Sequence, residues 1–145
     1  MKFQYSVPAI ADGSPLLDSR GKMVKRPILE LELINKKLEK IQVLGIIDSG
    51  ADTTTLNIQY ADFLGVKLDR TRPKEIIGVG SGKVSVYQSV FPFEIKEMGI
   101  KLEVPAWYVD SQNVDILLGE EVFFETFRIK FEKDHDTFEI NAVKK

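Results

Sequence analysis

Cysteine is absent from this chain, which removes disulfides, thiol nucleophiles and thiolate metal sites together and fits a reducing compartment. Histidine occurs once, at His135. A Ser-His-Asp triad would have to be built around that residue, and a multi-histidine metal site within one chain is excluded. No apolar run approaches the roughly 20 residues needed to cross a bilayer, and the opening Met1-Lys2-Phe3-Gln4-Tyr5 lacks the apolar stretch of a signal peptide. A cytoplasmic protein with no membrane partner is expected. Neither charge is in surplus: Lys and Arg number 20 against 22 Asp and Glu, for a net charge of −2. Nothing in that balance argues for a nucleic-acid partner. What remains is an ordinary globular composition, 43% hydrophobic and 29% charged over 145 residues. That length fits one domain, 1–145, with a real core but no room for two comparable lobes.

Strand patterns dominate the chain. Phe3 to Val7 alternates, and a loop-like stretch from Ala11 to Pro27 follows, carrying Gly13, Pro15 and Gly21. Ile28 to Ile34 alternates apolar and acidic residues with period two, as a half-buried strand should. After a turn at Asn35-Lys36-Lys37, Ile41 to Ile47 returns as a second strand. Asn57 is placed to cap a short helix through Phe63 that stops at Gly65, with Tyr60, Phe63 and Leu64 on its buried side. Ile76-Ile77 enters a hairpin at Gly78-Val79-Gly80-Ser81-Gly82, and Lys83 to Val90 leaves it. A second hairpin, Phe91 to Lys96 and Ile100 to Val104, turns at Glu97-Met98-Gly99, and Trp107-Tyr108-Val109 reads as a further strand. Asp115 to Gly119 is an apolar run ending in glycine, and Glu120 to Thr126 makes one or two helical turns. Arg128 to Glu132 and Thr137 to Ala142 form a last hairpin around Lys133-Asp134-His135-Asp136. Many short strands with one or two short helices predict a mostly all-β chain, a small closed antiparallel barrel.

The segment Gly45-Ile46-Ile47-Asp48-Ser49-Gly50-Ala51-Asp52-Thr53 drives an apolar strand into a tight turn with a carboxylate at its tip. Ile46 and Ile47 are expected to lie in a core, and desolvating a carboxylate beside them is costly. A second, identical carboxylate from another copy of the chain makes that cost useful, the two sharing one proton and activating a water.

Ile46 to Thr53, then the glycine-rich hairpin at Ile77 to Gly82, then Ile116-Leu117-Leu118-Gly119 leading into a helix, resembles the retroviral-type (retropepsin-like) aspartic proteases over about residues 28 to 132. The resemblance implies the retropepsin barrel and an endopeptidase that hydrolyses extended polypeptides as a homodimer. Two aspartates held close do not both ionise, so the pair holds a general base and a general acid in one site; the aspartic-protease dyad is the standard example of this effect. Asp48 is then the catalytic residue. Ser49, Gly50 and Ala51 form the active-site loop: the Ser49 hydroxyl reaches toward the partner's loop, Gly50 permits a backbone conformation closed to other residues, and Ala51 keeps the cleft wall small. Asp52 receives a substrate backbone amide. Ile77, Gly78, Val79, Gly80, Ser81 and Gly82 form the flap that closes over bound peptide. Gly119 packs behind the loop carrying Asp48. Water is the co-substrate, and no metal or organic cofactor is implied. One departure stands out: viral members carry an arginine after that glycine, pairing with the acid at the position of Asp52, whereas this chain has Glu120. The dimer contact must be organised differently here. Residues 1–27 exceed the minimal viral form and make an N-terminal extension of strand and loop.

Each residue has a plainer competitor. Asp48 could be a turn acid bonding its own backbone, Asp52 a cap for the Thr54 or Thr55 amides, and Gly78 to Gly82 an ordinary hairpin turn. His135 at a hairpin tip is expected to face solvent. Trp107, Phe123, Phe124 and Phe127 are read as core before site, with a place for one of them in a substrate pocket as the alternative. A non-catalytic peptide-binding module on the same barrel is the alternative to the enzyme.

Overall fold

Strict alternation builds the first wall of a barrel. In the computed structural model, which describes residues 1–9, 12–77, 83–111, 114 and 116–143, strand β2 (Ile28–Ile34) sends Leu29, Leu31 and Leu33 inward. The acidic positions between them face out. Strand β3 (Lys40–Ile47) returns antiparallel, with Ile28 opposite Ile46 and Ile34 opposite Lys40. Strands β4 (Thr54–Asn57), β5 (Lys74–Ile77), β6 (Lys83–Ile95), β7 (Ile100–Val109) and β8 (Ile116–Leu118) complete this sheet in the order β2-β3-β8-β4-β7-β6-β5. Strand β6 also pairs back onto β2 at Leu31–Ile95 and Glu32–Glu94, closing a six-stranded ring from which β5 hangs as an outer strand. Two contacts are parallel, β3–β8 and β4–β7, and the rest are antiparallel. The expected barrel is therefore present. The insertion of β8 between β3 and β4 brings a late segment of the chain against the strand that leads into Asp48.

The interior is aromatic and aliphatic. Phe91, Phe123, Phe127, Phe138 and Tyr108 are each at most 1% exposed, and every such side chain withdrawn from water contributes roughly 1.5–3 kcal/mol. Phe123 and Phe127 are core residues, as expected, whereas Phe124 is only partly buried and Trp107 lies outside the core cluster. A second sheet, β1 (Lys2–Gln4), β10 (Thr137–Ala142) and β9 (Phe127–Glu132), packs its inner face on the same core, with Phe3 stacked on Phe138 at 5.2 Å. A 3-10 turn, Lys133–His135, joins β9 to β10 and leaves His135 exposed.

Several elements differ from expectation. Strand β4 has no counterpart in the sequence pattern, which places Asn57 only as a helix cap. Asn57 is instead the last residue of β4; its Oδ1 accepts the Gln59 N–H at 2.9 Å, and helix α1 (Gln59–Leu64) starts from Ile58 without a side-chain cap. Gly65 ends α1 at φ 69° and donates to the Ala61 carbonyl, and Ala61 joins Leu64 as its most buried positions. Strands β6 and β7 are each one long strand where two were expected. Pro92 and Pro105 look like breaks. Each falls where a second neighbour is missing: the β2 pairing involves only Glu94 and Ile95, and the β4 pairing starts at Ala106. The missing N–H therefore goes unused. The first strand is shorter than Phe3 to Val7, and the following stretch is a folded arm with bridges at Ser6–Arg26, Ala9–Pro15 and Leu17–Met23.

Candidate active site

The end of β3 sets the height of Asp48. Ile47 is in the core and donates its N–H to the Pro27 carbonyl at 2.9 Å; one residue on, Asp48 N–H reaches the Leu118 carbonyl at 3.0 Å, extending the parallel β3–β8 contact by one bond. The chain then turns. Asp48 Oδ1 accepts the Gly50 N–H at 2.9 Å, and the Asp48 carbonyl accepts the Ala51 N–H at 3.2 Å. Asp48 is partly buried, Ser49 and Gly50 are exposed, Ala51 is partly buried and Asp52 is exposed. The local Asx bond of the plainer reading is thus present, and it fixes the carboxylate while leaving Oδ2 outside that bond. Gly50 does not use the conformational freedom expected of it: among the described residues the glycines with left-handed φ are Gly13, Gly21, Gly65 and Gly99. Its constraint is closeness. A Cβ at Gly50 would lie 3.3 Å from Asp48 Oδ1, the atom its own N–H must reach.

Behind this loop the segment after β8 leaves no space. A Cβ at Gly119 would lie 2.6 Å from the Thr53 carbonyl carbon and 2.8 Å from the Ala51 carbonyl oxygen. Such contacts are with backbone, which cannot swing aside. Glu120 N–H donates to Ala51 O at 2.8 Å and Glu121 N–H to Asp52 O at 2.9 Å, while Thr53 Oγ1 donates to Glu121 Oε2 at 3.2 Å. The loop from Asp48 to Thr54 is therefore laced to residues 118–121 along its length. Val122 then takes φ 67° in a γ-turn closed by Phe123 N–H to Glu121 O at 2.8 Å, before one helical turn, α2 (Phe123–Thr126). Positive φ at a β-branched residue is strained by about 1–3 kcal/mol. Asp52, Glu120, Glu121 and Glu125 line, with Phe124, a concavity of about 440 Å³ beside the loop.

Two kinds of residue escaped the sequence reading. One is Thr54, 0% exposed, whose Oγ1 accepts the Gly119 N–H at 3.1 Å. The other is a row across the outer sheet face: Ile46 pairs with Leu117, Leu117 with Thr55 and Thr55 with Trp107. All four are partly buried yet outside the core cluster. Ile46 precedes Asp48 by two residues, so the row shares the face from which Asp48 emerges. Ile47 is in the core as expected, but Ile46, expected beside it, stands on the opposite face, as the period of two requires; its alignment with the other three depends on strand neighbours that sequence spacing does not reveal. With its amide turned so that the oxygen faces the indole, Gln88 accepts from Trp107 Nε1 at 3.0 Å and from Lys74 Nζ at 3.3 Å.

Ile77 pairs through its backbone with Lys83, the last rung of the β5–β6 hairpin. Gly78, Val79, Gly80, Ser81 and Gly82, expected as the flap, lie outside the described residues. Among the described residues no cluster of three or more His, Asp or Glu is placed to hold a metal ion, and no helix is long and apolar enough to cross a membrane.

With this geometry in view, comparison with known proteins is specific. The profile of a family described as aspartyl protease matches residues 34–122. No curated protein sequence matches the chain. Among solved structures, the retroviral protease-like domain of Ddi1 from Leishmania major is similar over 83% of this chain and 91% of its own, with TM-score 0.55 and 17% identity. A retropepsin-like aspartic protease from Rickettsia conorii is similar over 95% of this chain and 97% of its own, with TM-score 0.55 and 16% identity. Those identities speak for the fold, and the profile match, from the end of β2 to the turn before α2, contains both the Asp48 loop and Gly119. The chain belongs to the aspartyl protease family and has the retropepsin-like fold.

Proposed function

We propose that this chain is an aspartic endopeptidase whose working form is a homodimer, each copy supplying one Asp48. The observation that carries it is the lacing of the Asp48 loop: Leu118 O on one side, Gly50 N–H on the carboxylate, and a side-chain-free Gly119 behind. A turn that needed only to reverse the chain would not require such packing. The chain has one Asp-Ser-Gly loop, so a second carboxylate comes from a second copy.

In the pair, one carboxylate takes a proton from water while the other gives its proton to the carbonyl oxygen of the scissile peptide. The tetrahedral adduct collapses as the acid–base roles exchange and the amine leaves. No covalent enzyme intermediate forms, and the cycle ends with one proton shared again. The substrate lies extended across the mouth and pairs strand-like with the enzyme backbone, Asp52 taking one of its amides. The segment from Ile77 to Gly82 acts as a flap above it, excluding water and offering backbone N–H groups. Ile46, Leu117, Thr55 and Trp107 form a wall of three strand spacings, roughly 14 Å across, that receives side chains from more than one substrate position.

A peptide analogue with a hydroxyl-bearing tetrahedral centre tests this reading, because catalysis requires tighter binding of the transition state than of the ground state. The analogue should bind at least about 100-fold more tightly than its parent peptide. Equal affinities would indicate a module that holds peptides without cutting them.

A further inference from the structure

The Leu118–Gly119 peptide group is gripped at both ends. Its carbonyl accepts the Asp48 N–H at 3.0 Å, and its N–H donates to Thr54 Oγ1 at 3.1 Å. In a trans peptide those two groups point in opposite directions within one rigid plane. The Thr54 hydroxyl is thus connected to the backbone of Asp48 through a single planar unit, and hydrogen bonds in series strengthen one another.

Thr54 is otherwise hard to explain. It is 0% exposed on the inward side of a strand whose next inward position is Leu56. Valine has the same shape and a similar preference for strands, with no hydroxyl to desolvate. The oxygen has a use because β4 and β8 share one rung, Thr55–Leu117. The N–H just past β8, on Gly119, meets the Thr54 side chain as its acceptor. The unit also has no room behind it, since a Cβ on Gly119 would lie 2.6 Å from the Thr53 carbonyl carbon and 2.8 Å from the Ala51 carbonyl oxygen.

We infer that Thr54 is a positioning residue for Asp48: its hydroxyl sets the plane of the Leu118–Gly119 peptide, and that plane fixes where the carboxylate stands at the mouth. Thr54 acts through another residue and makes no contact with the reacting atoms. This role rests on the endopeptidase reading.

Thr54→Val keeps shape and removes the acceptor; Thr54→Ser keeps the acceptor. For Thr54→Val, kcat should fall about 10–100-fold with KM changed less than about threefold, because a small misplacement of the reacting group costs about that much while the subsites are untouched. Thr54→Ser should restore kcat to within about threefold of the parent. Undiminished kcat in Thr54→Val, or equal losses in both variants, overturns the inference. A second measurement needs no turnover: in Thr54→Val the amide proton resonances of Gly119 and Asp48 should both move upfield as two bonds weaken. Movement of Gly119 alone overturns the relay. Should Thr54→Val not fold, Thr54→Ala is read in the same way against Thr54→Ser. If the parent protein cleaves no peptide, the endopeptidase reading fails while the resonances still decide whether Thr54 holds Asp48.

Discussion

Gly119 lies so close behind Thr53 that a Cβ added to it would stand 2.6 Å from the Thr53 carbonyl carbon. The Asp48 loop and the segment after β8 are therefore fitted backbone to backbone. Gly45 offers a contrast within the same barrel, because its added Cβ would meet the Leu31 Cδ1 methyl at 2.9 Å, the free end of a side chain that can rotate.

Gly119→Ala is expected to cost about 2–3 kcal/mol by overpacking, seen as a fall of roughly 5–10 °C in Tm for a chain of this size. Gly45→Ala should cost under about 1 kcal/mol, since alanine recovers some backbone entropy in a strand. Thermal unfolding of both variants checks the order. Equal shifts would contradict the packing described for Gly119.

How much of this was visible in the sequence follows from what each feature depends on. Period two in Ile28 to Ile34 gave β2, and the apolar run into Asp48 gave β3 and its turn. Strand β4 was missed because four residues, ending in a good turn former, carry little pattern of their own. The continuity of β6 and β7 through Pro92 and Pro105 was not legible for a different reason: whether proline breaks a strand depends on which edge is paired, and that is set by neighbours distant in sequence. The pattern alone shows an apolar run ending in glycine, and Gly119 was legible as a packing glycine only through the resemblance to the retropepsin-like proteases. Thr54 and Trp107 were not, because their partners are side chains and strands that only the β3–β8–β4–β7 order brings together.

Tyr108 gives the pH dependence. Its hydroxyl donates to Val90 O at 2.7 Å, and burial, helped by the Glu103 charge, raises its pKa well above the ordinary value of 10.0. Below that value the phenol is neutral folded or unfolded, and its full contribution is present. Above it the unfolded chain loses the proton first, so stability falls as pH rises toward the folded value. The midpoint of urea unfolding should therefore decline from pH 8 to 10.5, and decline less in Tyr108→Phe. That variant should cost about 1–2 kcal/mol at pH 8 from the lost bond to Val90. An unchanged slope would show that the decline arises elsewhere; Tyr5, also raised by burial, is the control.

Dimerisation is tested by mixing. Specific activity should fall on dilution once the pair dissociates. At concentrations well above dissociation, a tenfold excess of Asp48→Asn chain should, after subunit exchange, leave about a tenth of the activity, because most parent chains then sit in mixed pairs that hold a single Asp48. Activity indifferent to the excess would mean that one chain suffices.

The most direct measurement digests a diverse peptide pool with the parent protein and with Asp48→Asn, and reads new termini by mass spectrometry. The parent should generate defined internal cleavages, and Asp48→Asn, with its dimer mass unchanged, should generate none. Cleavage of the same bonds at the same rate by Asp48→Asn would contradict the account.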